Sequence, residues 1–417
     1  MKLVDDPFAT DVGESEMYLW IENRVFAATP DLDALRGLAF RLNDAAQRGF
    51  LDTDLHRRLA EVYADGASWL FGFDVAAAMS EASGEMPPET LQALQDFGLF
   101  DATTFVVERH RDGEWYATNA ELRFQGQRRG IMNWLAEPAP IGSLEFVSQQ
   151  AYFAASAVSR DPVMMFDELM ALVAQQGQEA VDELQLAQDR LGIDLREDFA
   201  AALGADGTIA LDGPMLPVPS WKVIIEVYHP DTLISTLERA LIEVNAELTE
   251  NGQPEVFLDS SVASGRTYYS LSRDDLSGRV VFTAVDGYLV IAPNRTLIDQ
   301  AIDYRETGAN LTASNSFQAL LPDNAYTDCS ALVYRDLDSL VDAVPTEMLD
   351  QLGGVGGVGE GLSSGLICIF GEADRVIASA TGGSLVGLGA LLGMHQALIL
   401  PSASEEAGTV EAVSSQG

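Results

Sequence analysis

Residues 279–304 read RVVFTAVDGYLVIAPNRTLIDQAIDY, and this stretch decides the fold. Two apolar runs, 280–285 and 288–292, flank Asp286-Gly287, a pair that tolerates the positive φ angles of a tight turn, so the segment predicts a β-hairpin. Pro293 stops the second strand, and Asn294 can accept the orphan amides of a new helix. Leu297, Ile298, Ala301 and Ile302 then recur at helical spacing on one face, which predicts a helix lying back on the hairpin.

The same phrase of strand, turn and helix returns along the chain. Strand-to-helix turns are predicted at Pro30, Asp161, Pro230, Asn294 and Asp336, and their unequal spacing argues against a fixed-period solenoid. Because hairpins recur among the crossovers, the expected class is α+β: a mostly antiparallel, extended sheet with helices packed on it, in two related lobes. The expected domains are a flexible arm over 1–15, an N-terminal α+β lobe over 16–150 and a C-terminal α+β lobe over 151–346. A glycine loop, a hairpin and an apolar segment over 347–400 complete the second lobe, and 401–417 form an acidic, disordered tail.

Within the first lobe we expect one strand from Met17, helices from Pro30-Asp31, over 54–71 and from Pro87 to near Gly98, a hairpin turning at Asp112-Gly113, and a helix over 127–136. Within the second, AYFAASAVS leads into a helical region reaching about residue 191 with a break near Gly177. A short helix follows over 197–203. WKVIIEVY is a strand whose polar face shows Lys222 and Glu226.

Composition narrows the partners. The chain has 417 residues, 24 basic against 64 acidic, for a net charge of −40, and its only lysines are Lys2 and Lys222. Such a surface repels phosphate backbones and anionic lipid, so nucleic acid is excluded as a partner and membrane contact must be apolar. No charged start with an apolar stretch and a small-residue cleavage site follows Met1; the chain is either cytoplasmic or begins after an export signal. Cys329 and Cys368 fall on late strands, where a disulfide and a pair of buried thiols are both compatible with the spacing.

Motifs for catalysis are missing. The glycine loop 353–361 lacks the Gly-Lys-Ser or Gly-Lys-Thr of a phosphate loop and reads as a linker. His56, His110, His229 and His395 stand apart, without HExxH or HxH spacing, and no GxSxG elbow presents Ser363 or Ser364. Asp31 with Asp33 and Asp336 with Asp338 fall at helix starts, where the dipole favours acids, and read as caps rather than calcium ligands. We therefore assign no catalytic, cofactor-binding or metal-binding residue and no cofactor. The run 385–400, broken by His395 and Gln396, is too short to span a bilayer and reads as a buried terminal helix or a peripheral membrane contact. One feature points outward: VVFTAV, YLVIA and LICIF are apolar on both faces, so a second helix layer, a partner protein or an apolar ligand must cover the side that α-helices of the repeated phrase leave open.

The order of LGIDLREDFAAALG (191–204), WKVIIEVYHPDTLISTLERAL, GRTYYSL, VDGYLVIAPNRTLIDQAI and SFQALLPDNAYTDCSALVYRDL resembles the bacterial family named domain of unknown function 3352, over about the second half of the chain. The resemblance implies an α+β protein of the cell envelope or periplasm without assigned catalysis, and it carries no site residues. The expected function is a non-catalytic, envelope-associated binding or scaffolding protein. The alternatives are a carrier of lipid or another apolar ligand and a hydrolase whose site does not show in sequence.

Overall fold

The computed structural model describes residues 2–9, 17–22, 25–43, 49–84, 86–112, 115–216, 218–275, 278–322, 328–336, 339 and 365–381. The glycine loop 353–361, the apolar run 385–400 and the tail 401–417 lie outside these residues, as does the helix expected after Asp336. Of that start, Asp336 accepts from the amide and hydroxyl of Ser339.

The chain divides into two units, Met1–Ala64 and Asp65–Gly417, rather than at the boundary expected near 150. The first unit holds β1 (Lys2–Val4), β2 (Tyr18–Glu22), β3 (Val25–Thr29), α1 (Leu32–Asn43) and α2 (Asp54–Ala64). β1 pairs in parallel with β2, so residues 2–4 of the expected arm are part of a sheet, and the single strand expected from Met17 is an antiparallel pair, β2 and β3. Trp20, Leu32, Leu35 and Ala39 form the core of this unit.

The second unit contains β4 (Trp69–Asp74), α3 (Val75–Ala82), α4 (Pro88–Asp96), β5 (Ala102–Asp112), β6 (Trp115–Phe124), β7 (Phe153–Val158), α5 (Pro162–Gln176) and α6 (Gln178–Leu191). It continues with β8 (Leu203–Leu211), β9 (Trp221–Val227), α7 (Pro230–Glu250), β10 (Val256–Ala263), β11 (Arg266–Arg273), β12 (Arg279–Val285), β13 (Tyr288–Ala292) and α8 (Arg295–Thr307). α9 (Asn315–Leu320), β14 (Ala331–Arg335), β15 (Gly365–Gly371) and β16 (Arg375–Thr381) complete it. Among the described residues, its strands join one thirteen-stranded sheet in the order β10-β11-β12-β13-β9-β8-β7-β14-β15-β16-β6-β5-β4, every pairing antiparallel. The fold is α+β on an antiparallel sheet, and the strands before residue 150 are continuous with those after it.

The organising hairpin is built as its sequence dictates. Val285 pairs with Tyr288 across a turn in which Asp286 and Gly287 take φ of 49° and 82°. The Asn294 side chain accepts from the Leu297 amide at 3.1 Å, and Gly308, at φ 72°, ends α8 in the left-handed conformation. Leu297, Ile298, Ala301 and Ile302 are all buried, in one cluster with Val281, Val290 and Ala292 of the hairpin. Cys368 of β15 is disulfide-bonded to Cys329, which lies two residues before β14 rather than on it.

One expected helix is shorter than predicted and another does not form. The helix over 54–71 stops at Ala64, Gly66 turns at φ 86°, and Trp69–Asp74 is an edge strand paired with β5. Over 127–136 only a 3₁₀ turn forms, at Gly130–Asn133, because the segment wraps round Arg128. That buried guanidinium donates to the carbonyls of Glu372 at 2.5 Å and Leu135 at 2.9 Å, and to that of Met132. The helical region 195–202 is a π turn followed by a 3₁₀ turn.

Ile298→Ala is expected to destabilise the second unit by about 2–5 kcal/mol, through lost burial plus a cavity, and Asn294→Ala by about 1 kcal/mol, through loss of the cap. Urea unfolding of the two variants beside the wild type checks both size and order.

Candidate functional site

Residues directly opposite one another in an antiparallel sheet project from the same face, and successive residues from opposite faces. One face of the large sheet carries Leu332, Tyr334, Cys368, Phe370, Ala154, Ala210, Ile224 and Val290, all buried together with α8, Leu311, Phe317 and the turn at Gly142–Phe146. The other face is covered unevenly. Over β5, β6, β15 and β16 it buries Val107, Ala120, Ile367 and Ala380. Further along the same cross-strand row come Val333, Ala155, Ile209, Val223, Ile291 and Phe282. Here Ile209 is 55% exposed although β8 has strands on both sides, and Ala157, one pair along β7, is exposed too. On the edge strand β4 the same face shows Trp69, Phe71 and Phe73, exposed to 46%, 47% and 46%. An isoleucine in the middle of a sheet normally meets a packed layer, so this open apolar strip across β7, β8 and β9 is the candidate site.

The opposite face of the sheet is covered. Two aspartates, Asp206 within β8 and Asp212 just after it, fasten the segment 142–148 to the sheet. Asp206 accepts from the Ser143 amide at 2.8 Å, from its hydroxyl at 2.5 Å and from the Tyr288 hydroxyl at 2.9 Å. Asp212, next after the strand, accepts from the Ser148 amide and hydroxyl at 2.9 and 2.5 Å and from Lys222 Nζ at 2.6 Å. Gly142 leaves no space for a side chain, since a Cβ there would overlap the Tyr288 hydroxyl. Thr208 links Ser143 to Ser156 at 2.6 Å on either side, and Glu226 accepts from the amides of Ala205 and Asp206.

Lys222, expected on a polar strand face, is fully buried, with its ammonium 4.9 Å from the Tyr304 ring centroid. Burial lowers its pKa, and the charge of Asp212 and its hydrogen bond oppose the shift. The Tyr288 hydroxyl is raised well above the usual tyrosine range, first by burial and then by the Asp206 charge. Ser143 is buried with its hydroxyl bonded to Asp206 and Thr208, an arrangement that holds a turn rather than presenting a nucleophile to a substrate.

The histidines are placed separately. His56 lies on α2 with its ring edge-on to Phe50, His110 is on β5 with Nε2 3.7 Å from Glu108, and His229 precedes α7 without making a capping bond; His395 lies outside the described residues. Among the described residues no group of histidine, cysteine and acidic side chains is arranged to hold a metal ion. Two clefts open at the helices. One of about 400 Å³ lies at the start of α5 beside Arg160, Asp161 and Tyr228, and one of about 250 Å³ lies between α4 and α5, where Trp134 Nε1 donates to Glu168 at 2.5 Å.

Sequence reading named neither β4 nor the two aspartates. The alternation in WLFGFD was the available signal for β4. Asp206 and Asp212 gain their meaning only from β8 meeting the 142–148 segment.

No protein-family model matches the chain, and no curated protein sequence matches it. A solved structure, crystal form III of TP0453, aligns with 60% of this chain and 94% of its own at 9% identity and a TM-score of 0.25, a likeness that carries no inference about this chain.

Tyr288→Phe is expected to remove about 1.5–3 kcal/mol at neutral pH, as loss of a hydrogen bond to a charged acceptor. A tyrosine whose folded pKa is raised contributes stability that is present below its unfolded value, about pH 10, and is lost as pH climbs toward the folded value. The variant should therefore lose less stability above pH 10 than the wild type does, which urea titrations on both sides of that pH will measure.

Proposed function

We propose that the protein is a non-catalytic binding or scaffolding protein of the cell envelope, and that its working surface is the open apolar strip across β7, β8 and β9. The observation that carries this reading is the exposure of Ile209 on an interior strand, flanked in register by Ala155 and Val223. The carrier form of the reading, with a lipid or other apolar ligand as occupant, is favoured by the same strip: it offers area and dispersion contacts but few polar groups. A polypeptide partner would need a polar rim as well. The address in the envelope is supported by the Cys329–Cys368 disulfide, since such bonds persist in oxidising compartments. It is also what the resemblance of 221–344 to the domain of unknown function 3352 family implies. The net charge of −40 speaks against nucleic acid as partner.

Native mass spectrometry of protein purified without detergent is expected to show a bound apolar adduct on the wild type and none on Ile209→Glu, with unchanged thermal unfolding, because Ile209 contributes little buried surface. A wild-type mass free of adduct, at activation mild enough to keep non-covalent ligands, would sink the carrier reading.

A further inference from the structure

Arg335 ends β14 on the open face. It is paired with Phe153 of β7 on one side and with Gly365 of β15 on the other, and the row continues through Leu211 of β8 to Trp221 of β9. The next row is Val333, Ala155, Ile209 and Val223. The arginine is therefore a cation at the border of an apolar strip.

It lacks the acidic partner that most described arginines have. Arg196 is matched by Asp167 and Glu197, Arg375 by Glu372 and Glu121, and Arg305 by Glu145. Arg335, half-buried, makes no ion pair among the described residues, and burial alone holds its guanidinium below the ordinary arginine range. A guanidinium taken partly out of water without a counter-charge is costly, and a carboxylate matches its planar fork with two parallel hydrogen bonds.

We propose that Arg335 receives the head of a long-chain carboxylate whose tail lies over Phe153, Leu211 and Ile209 toward Trp221. This rests on the carrier reading and adds the head-group chemistry to it. From β14 to β9 is three interstrand spacings, about 14 Å, a length suited to one extended acyl chain. The net charge of −40 repels anions at long range, but screening confines that repulsion to about 8 Å in physiological salt. Arg335 thus offers an anionic amphiphile a cation that has no ion pair among the described residues, beside apolar surface.

The test compares dodecanoate with dodecanol, followed by the fluorescence change of the intact protein and by equilibrium dialysis. The wild type is expected to bind the carboxylate about tenfold more tightly than the alcohol, the worth of one charge-assisted hydrogen-bonded pair. Arg335→Gln should bring the carboxylate down to the affinity of the alcohol and leave the alcohol unchanged. Ile209→Glu should abolish both. Equal binding of the two probes by the wild type, or a preference that survives in Arg335→Gln, overturns the head-group assignment while leaving the apolar strip as a binding surface. Binding of neither probe by the wild type overturns the assignment and the single-chain carrier reading together.

Discussion

The structure depends on one helix covering one side of one hairpin. Leu297, Ile298, Ala301 and Ile302 of α8 close over the side of β12 and β13 that carries Val281, Val290 and Ala292, and this burial anchors the core of the second unit. Strand geometry sends alternate residues to opposite faces, so a helix that satisfies Val290 can do nothing for Leu289 and Ile291. The apolar character of these strands on both sides therefore creates a demand that α8 leaves half unmet. Over β5, β6, β15 and β16 the second side is buried; over β7, β8 and β9 it is open at Ile209 and Ala157.

Buried charge has a positional part in this arrangement. Replacing a buried ion pair such as Lys222–Asp212 by apolar groups is often neutral or stabilising, so its presence is weak evidence of stability gained. What the pair and Asp206 achieve is placement. They answer the amides and hydroxyls of Ser143 and Ser148, and between those two points the segment delivers Leu144, Phe146 and Val147 into the core. A short turn has no repeating backbone hydrogen bonds to fix its position against a sheet. Two carboxylates six residues apart, one within β8 and one just past it, supply that fixation, and Tyr288 ties Asp206 to the organising hairpin.

Local signals were readable from sequence and distant ones were not. Asp286-Gly287 and Asn294 state their conformations in adjacent residues, and the hairpin and helix follow them. The segment 127–136 has the composition of a helix, yet Arg128 takes its shape from a carbonyl at Glu372, 244 residues away. Lys222 looks like a solvent-facing strand residue until β8 and β9 pair and bring Asp212 beside it. Trp69, Phe71 and Phe73 were hidden because the preceding helix has apolar residues at a spacing that can be continued through them; Gly66 breaks the run. At the candidate site the doubly apolar strands were visible in advance. Which stretch stayed open was not, since cover is decided by where crossovers place their helices.

The acidity of the chain and the open strip are two sides of one design problem. An apolar surface able to hold a ligand is equally able to hold the same surface of another copy, and a long open sheet adds edges that invite pairing. A net charge of −40 opposes the approach of like copies at every orientation, while a neutral tail or a single-headed amphiphile meets little of that repulsion. At one edge, β10 presents the exposed Asp259 beside Ser260 and Ser261, polar groups that discourage a further strand. A charge of this size thus works against self-association more than against the proposed apolar occupant. It does so by long-range electrostatics, and it leaves the strip itself free of the charged side chains that would spoil it for an apolar occupant.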